Sequence, residues 1–405
     1  MNYQRLFNAA SDCVLRFRAS AFPLKNVVSD VCKMRNLNSS ERRALFDLMF
    51  RFSREIYLVD EFIRNTMRFA NSMSVQQKDR LALELFLAGP ADLAKMATDY
   101  DRYVASLGEE RYLLALGPML CRALKADFPE SASAIAKGFS SRPAKYLAID
   151  RRHVAIEEVV EILARAGIKY FFCPMLATAL GLYEQLDMKR VFGALCQHVW
   201  LMDAGSQIIA ELIRPKSSDQ VLDMCAGEGN KAHYITMRAC HYTAMDIDQR
   251  RLNKAKLRLE GRNINFICGD ARATSFKPES FDWILLDAPC SGVGTLRRNY
   301  DLVHRLHLDD ITRYVNLQRQ LLESAVHLLK PQGKLIYATC SWLRVENEQQ
   351  IDWALKENSQ IKSFALNDLV VDLPKISADA LDKNTLSLFP NIHNCDGFYA
   401  AGLTK

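Results

Sequence analysis

The residue pattern from position 220 onward constrains the fold more than any other feature. Short apolar runs, QVLDM, YTAMD, INFIC, FDWILLD, KLIYAT and DGFYAAGL, alternate with helix-length polar stretches. Strands separated by helices pair side by side through crossovers, so the alternation predicts a mainly parallel sheet covered by helices on both faces. In such a sheet ligands bind beyond the carboxyl ends of the strands, and the chemistry of the chain is expected there.

The first 128 residues obey a different period. Leu6, Ala10, Cys13, Val14 and Phe17 form one stripe at helical spacing, and Leu45, Leu48, Met49, Phe52 and Ile56 another, which predicts helices with one buried face each. Asn38, followed three residues later by Glu41, has the spacing of a capping box at the start of the second helix. Residues 129–145, PESASAIAKGFSSRPAK, interrupt the period with prolines, a glycine and small polar residues, and mark a boundary. A helix is expected at 154–168, ended by Gly167; the stretch up to residue 200 has no assignable pattern. The expected organisation is therefore an all-helical domain over residues 1–138 and an α/β domain over 139–405. The latter divides into a small subdomain, 139–200, and a core, 201–405.

Composition narrows the setting. No run of eighteen or more uncharged apolar residues is present, so no membrane span is expected. The first twenty residues mix charged and apolar positions instead of offering an apolar signal core, which points to the cytoplasm. The eleven cysteines include no C-x-x-C pair and no compact cluster with histidine. That argues against a disulfide framework and a zinc site, and predicts thiols that are mostly reduced and buried, with no metal. The formal charge of +6 is compatible with a polyanionic partner. Nothing suggests a coiled coil, and a monomer is expected.

The first strand of the α/β part runs into DMCAGEGNKAHYI, where Gly227 and Gly229 let the backbone pass close to a ligand as a helix opens. Neither the P-loop spacing nor the full G-x-G-x-x-G is present. The second strand ends at Asp246, placed to accept hydrogen bonds from a ribose diol. The third is followed by Asp270, in GDAR, placed to reach an adenine amino group. Each acid alone also reads as a cap or turn residue. Acidic strand ends in register behind a glycine loop suit a nucleoside cofactor without a pyrophosphate, and S-adenosylmethionine is the candidate.

Cys290, in LDAPCSG, follows the fourth strand, and Cys340, in IYATCSW, the fifth, so two thiols should converge at one edge of the sheet. A free cysteine is ordinarily a small buried hydrophobe. Beside a methyl donor a thiolate has a specific use. Carbon 5 of cytosine is too unreactive to take a methyl group directly, but thiolate addition at carbon 6 gives an enamine whose carbon 5 can. A base must then remove the carbon-5 proton before the thiolate leaves. Asp287 is placed to hydrogen-bond the cytosine edge. These residues alone leave open which cysteine attacks, and whether Lys231 favours thiolate formation or is a helix-surface lysine.

In order and spacing, DMCAGEGNKA, MDID, GDAR, LDAPCSGVGTLRRNYD, ATCSWLRVENEQQ and DGFYAAGL resemble the Fmu/Sun family of RNA cytosine-5 methyltransferases, over roughly residues 195–405. LMDAGSQIIAEL, residues 201–212, resembles the helix that precedes its first strand. MNYQRLFNAA and LNSSERRALFDLMFRFSREI resemble the NusB-like RNA-binding domain of bacterial members that modify small-subunit ribosomal RNA. The resemblance implies an α/β Rossmann-like S-adenosylmethionine-dependent methyltransferase domain preceded by an all-α NusB-like domain. It implies cofactor binding at Cys225, Ala226, Gly227, Glu228, Gly229, Asn230, Lys231, Asp246, Asp270 and Asp287. It makes Cys340 the nucleophile and Cys290 the residue that assists release, with Asp287 and Lys231 in the catalytic set. Arg297, Arg298 and Asp301 match an arginine-bearing segment, either a contact to RNA phosphate or a solvated loop. The implied substrate is 16S ribosomal RNA. Transfer RNA is an alternative substrate, and a non-catalytic RNA-binding assembly protein an alternative class. The family's usual CAAPGGKT is CAGEGNKA here, with Glu228 and Asn230 in place of a proline and a glycine. The added charge either favours the cofactor's ammonium and sulfonium or crowds the loop.

Overall fold

The computed structural model describes residues 3–20, 22–67, 72–87, 91–238, 241–369 and 380–405. The chain forms two compact units. One comprises Met1–Ser141 together with Thr295–Leu306, the other Arg142–Gly294 together with His307–Lys405.

The first unit opens with the helices α1 (Tyr3–Arg18), α2 (Leu24–Met34), α3 (Ser39–Thr66), α4 (Val75–Phe86), α5 (Ala91–Ser106), α6 (Glu110–Ala115), α7 (Gly117–Asp127) and α8 (Ala132–Ser140). The stripe read from the sequence is the buried face of α1, with Leu6, Ala10, Cys13, Val14 and Phe17 inside. The capping box of α3 forms as spaced, with Glu41 N donating to Asn38 Oδ1 and Asn38 N to Glu41 Oε2, both at 2.9 Å. The stretch taken as a boundary holds α8. Its Ala132, Ile135, Ala136 and Phe139 recur at helical spacing and are buried, so packing overrides the small and polar residues around them.

In the second unit β1 (Lys145–Ile149), β2 (Tyr170–Phe172), β3 (Leu180–Leu182) and β4 (Val199–Leu201) form an antiparallel sheet in the order β2-β3-β1-β4. Three of these strands are too short to show a period of two. Between them lie α9 (Ile156–Arg165), followed by Gly167 at φ 68°, and α10 (Met188–Phe192). The core follows with α11 (Ala204–Glu211), β5 (Gln220–Asp223), α12 (Asn230–Ile235), β6 (His241–Asp246), α13 (Gln249–Arg258), β7 (Ile264–Cys268) and β8 (Phe281–Asp287).

After β8 the chain enters the first unit over residues 295–306, which include α14 (Leu302–Arg305). There Asp301 Oδ2 accepts from Leu24 N at 3.1 Å and from Arg305 Nε at 2.8 Å. The His304 ring stacks on Tyr57 at 5.0 Å, with Nε2 2.6 Å from the Ser53 carbonyl. Arg297 and Asp301 are 3% and 6% exposed. Of the two readings of this segment, neither the solvated loop nor an exposed contact to RNA phosphate fits Arg297 and Asp301, because both are packed into the helical unit.

The second unit resumes with α15 (Leu308–Leu328), β9 (Leu329–Thr339), α16 (Glu348–Glu357), β10 (Lys362–Ser363), β11 (Leu381–Asp382), β12 (Thr385–Leu388), α17 (Pro390–His393) and β13 (Phe398–Thr404). The main sheet runs β11-β12-β13-β9-β8-β5-β6-β7, with β10 also paired to β13. The strands β7, β6, β5, β8 and β9 are mutually parallel, as the alternation predicts. DGFYAAGL is a strand, but β13 lies antiparallel to β9 and continues the sheet with β12 and β11. The middle strand reads as a continuous apolar run because it is covered on both faces: Ile284, Leu285 and Leu286 are fully buried. Among the described residues no helix is long and apolar enough to cross a membrane. The ten described cysteines are all free, but four are buried, fewer than expected, since several sit at strand ends.

Candidate active site

The glycine loop is built from the end of β5. Positive φ at Gly227 (58°) and Gly229 (76°) turns the chain into α12. Gly227 N donates to Asp246 Oδ2 at 2.8 Å, and Ala226 N to the Met245 carbonyl at 2.9 Å, which ties the loop to the end of β6. Asp246 is 3% exposed. Its Oδ1 accepts from Asp248 N at 2.9 Å, and Arg251 Nη1 stands 3.4 Å from Oδ2. Asp270 is gripped through both oxygens by Arg272, at 2.9 and 2.5 Å, which holds its carboxyl below the usual range.

A cavity of about 640 Å³ opens beside these acids, lined among others by Cys225, Asp246, Ile247, Asp270, Pro289 and Leu317. Its volume and its few acceptors on an apolar wall fit a nucleoside-sized ligand. Ala226, Gly227, Glu228, Gly229 and Asn230 do not contribute to the lining. The two departures in the glycine loop face α13 instead. Lys254 Nζ lies 2.7 Å from Glu228 Oε1, and Arg258 donates to Asn230 Oδ1. The Lys254 hydrogen bond holds the Glu228 carboxyl below its usual value.

The second half of the site lies where β8 and β9 end side by side, Asp287 opposite Ala338. Cys290 Sγ is 3.4 Å from Cys340 Sγ. Lys231 Nζ is 2.5 Å from Asp287 Oδ2, and its side chain is only 11% exposed, so it is not a surface lysine. Burial opposes the ammonium charge, but Asp287 outweighs it, and negative charge on Cys340 or Asp223 adds to the effect, so the Lys231 pKa is raised. The Cys290 thiol is pushed well above its ordinary value by its hydrogen bond with Cys340, then by burial, then by charge on Cys340 and Glu346. Burial also raises Cys225.

Several residues that shape the site were not read from the sequence. Burial lifts Asp223 to about 7, although Tyr242 OH donates to it at 2.9 Å. Its signal was available, as an acid closing an apolar strand. Gly294 N donates to the Cys340 carbonyl at 2.9 Å, and Gly397 N to the Gly294 carbonyl at 2.7 Å. A Cβ at Gly294 would lie 2.1 Å from Gly397 O and 2.8 Å from Cys340 O. Arg251, Arg272 and Glu346 carried no sequence signal, because their roles depend on which loops meet. Elsewhere, ligating atoms of Asp150, His153 and His198 lie within 4.8 Å of one another. Asp150 is already paired with Arg152 at 2.6 Å and Arg262 at 3.4 Å, an environment that opposes a cation.

Residues 210–404 match the family model described as 16S rRNA methyltransferase RsmB/F. Ribosomal RNA small subunit methyltransferase B of Vibrio cholerae is 31% identical over 292 residues, covering 71% of this chain and 64% of that protein. The protein of that name from Yersinia pestis is 34% identical over 234 residues, covering 56% and 54%. The chain therefore spans just under two thirds of the first relative's length and about half of the second's. Among solved structures, a methyltransferase homolog from Pyrococcus horikoshii matches at TM-score 0.59 and 26% identity, covering 73% of this chain and 97% of that one. The crystal structure of PH0851 matches at TM-score 0.76 and 19% identity, covering 100% and 99%, a likeness of fold.

Proposed function

Because residues 210–404 match the family model described as 16S rRNA methyltransferase RsmB/F, we propose that the chain methylates carbon 5 of a cytosine in 16S ribosomal RNA with S-adenosylmethionine as donor. The observation that carries the chemistry is the pair of thiols 3.4 Å apart, at the ends of two adjacent parallel strands and on the same sheet edge as the Lys231–Asp287 ion pair.

Asp246 and Asp270 are the acceptors for a ribose diol and an adenine amino group, with Ile247, Pro289 and Leu317 as apolar wall. Of the loop 225–231, Cys225 lies on the cavity wall and Lys231 reaches Asp287, and the amino-acid end is read as lying towards these two. Arg251 and Arg272 share or release the oxygens of those two acids when a ligand hydrogen-bonds there. When bound, the cofactor supplies an electrophilic methyl group.

Cys290 keeps its proton at neutral pH because its neighbourhood disfavours a second negative charge. The attacking sulfur is read as Cys340, the position that the family resemblance gives the nucleophile, and the Lys231 ammonium, held by Asp287, is the cation in its neighbourhood. Asp287 orients Lys231 and offers an acceptor to the cytosine edge. Addition of Cys340 to carbon 6 makes carbon 5 nucleophilic towards the methyl group. Once Cys340 is bonded to the ring its sulfur is uncharged, and one cause that held the proton on Cys290 is gone. Cys290 then gives up its own proton to water and, as a thiolate, takes the carbon-5 proton, while the Cys340–carbon 6 bond breaks, Cys340 leaves as a thiolate and the carbon 5–carbon 6 double bond re-forms. The helical unit is read as the part that grips RNA, in a cytoplasmic enzyme, and the excess of positive charge suits that partner.

Transfer of a labelled methyl group to unmodified 16S ribosomal RNA, and separately to transfer RNA, tests this reading in wild type, Cys340→Ala and Cys290→Ala. Expected are transfer to the ribosomal RNA by wild type, none by Cys340→Ala, and a protein–RNA adduct that persists on denaturing gels in Cys290→Ala. Transfer by Cys340→Ala with loss in Cys290→Ala reverses the two roles. Folded wild type that methylates neither RNA points to an assembly protein instead.

A further inference from the structure

We propose that the adjacent residues Glu346 and Asn347 are positioning residues that fix the spacing of the two thiols, Glu346 by holding the residues on both sides of Cys290 and Asn347 by holding those on both sides of Cys340. The proposal rests on the two-cysteine reading above.

Glu346 is fully buried. Its carboxylate accepts from Ser291 N at 2.8 Å, Ser291 Oγ at 2.5 Å and Gln318 Nε2 at 3.2 Å. The same Gln318 amide donates to the Pro289 carbonyl at 2.9 Å, so residues 289 and 291 are held by one network while Cys290 between them stays available. Asn347, 3% exposed, treats the other cysteine in the same way. Its Oδ1 accepts from Thr339 Oγ1 at 2.6 Å, and its Nδ2 donates to the Ser341 carbonyl at 3.0 Å. The two halves also meet directly, Ser291 Oγ lying 3.3 Å from Ser341 Oγ. The clamp is itself anchored to β9, where Tyr337 OH donates to the Glu346 carbonyl at 2.6 Å.

A buried carboxylate costs several kcal/mol of lost hydration unless its acceptor sites are filled. Here every donor that fills the Glu346 carboxylate comes from the Cys290 loop or from the side chain bonded to that loop. Because the two clamping residues are consecutive, the distance between the loops is set by one stretch of backbone. Glu346 also contributes to the high pKa of Cys290, which gives the clamp a readout separate from folding.

The test compares Glu346→Gln and Asn347→Ala with wild type in two assays. The first follows iodoacetamide alkylation of Cys290 against pH, peptide by peptide, in the full chain without RNA or cofactor. Glu346→Gln should move the midpoint down by about one unit, the scale of a removed neighbouring charge, whereas Asn347→Ala leaves it in place. The second follows adduct formation and release on RNA. Glu346→Gln should slow release by at least about tenfold and Asn347→Ala should slow formation by a similar factor, the scale of a misplaced reacting group, with the KM for RNA unchanged. An unmoved Cys290 midpoint in Glu346→Gln, or equal slowing of both steps by both variants, overturns the proposal. Should either variant fail to fold, Ser291→Ala deletes one donor to the same carboxylate. That change leaves the carboxylate charge in place, so the Cys290 midpoint should not fall while release of the adduct slows as in Glu346→Gln; a falling midpoint, or release at the wild-type rate, overturns the clamp. If wild type transfers no methyl group to any RNA, the enzymatic reading fails, while the alkylation profile still reports on the clamp.

Discussion

The two residues that depart from the family's glycine loop are absorbed by one turn of helix. Glu228 and Asn230 meet Lys254 and Arg258, four residues apart on α13, so neither is left facing the cavity. The Lys254 side chain is 64% exposed and that of Glu228 38%. An exposed pair of this kind contributes between nothing and about 1 kcal/mol. Lys254→Ala should therefore cost less than about 1 kcal/mol in a urea melt and weaken S-adenosylmethionine less than about fivefold by calorimetry; a larger loss would mean that the pair positions the loop. Asp223 carries a different liability. Its pKa is raised from 3.8 unfolded to about 7 folded, so the stability it contributes is complete below pH 4 and is lost as pH rises towards 7. Asp223→Asn removes that slope and keeps an acceptor for Tyr242. The melting temperature of the variant relative to wild type should climb between pH 4 and 7 and level off above; a flat difference contradicts the assignment.

Among elements, the loops after β8 and β9 are joined through a glycine that has no room for a side chain. Gly294→Ala would drive a methyl group into the Gly397 and Cys340 carbonyls. Since backbone on both sides has to move, the cost should be about 1–3 kcal/mol, accompanied by loss of methyl transfer, whereas Gly167→Ala, at a C-terminal cap with open space around it, should leave transfer intact. Legibility from sequence follows the same division. The strands β5 to β9 were readable because they are apolar runs that alternate with helix-length stretches, β5, β6, β8 and β9 being mostly buried, and their ends named Asp246, Asp270, Asp287, Cys290 and Cys340. The strands of the small sheet, three to five residues long, offered no period. The helix α8 had the right spacing but was obscured by its flanking prolines. Glu346 and Gly294 were not legible, because each matters only through a loop brought to it by the fold.

For the molecule as a whole, residues 295–306 were the least legible: Arg297 and Asp301 read in sequence as either a phosphate contact or a charged loop, and are interior groups of the helical unit. No local pattern signals that a segment belongs to a core whose partners lie 251 and 277 residues earlier in the chain. His304 makes the assignment testable. Burial lowers its pKa from 6.5 to about 4, so the stability that goes with its neutral ring is present above pH 6.5 and is lost as pH falls to about 4. Hydrogen exchange of α3 amides near Ser53 should speed up over that window in wild type and respond much less in His304→Gln; equal responses would remove His304 as the cause.

Translation delivers the two parts of the helical unit at different times. When residue 141 leaves the ribosome, the Leu24 amide and the Ser53 carbonyl still lack Asp301 and His304. At ordinary elongation rates that wait is on the order of ten seconds. During it the nascent helices stand as an unfinished core while most of the second unit is already being made, so the chain of the helical unit is complete only at residue 306, in the middle of the synthesis of a unit that itself runs on to Lys405.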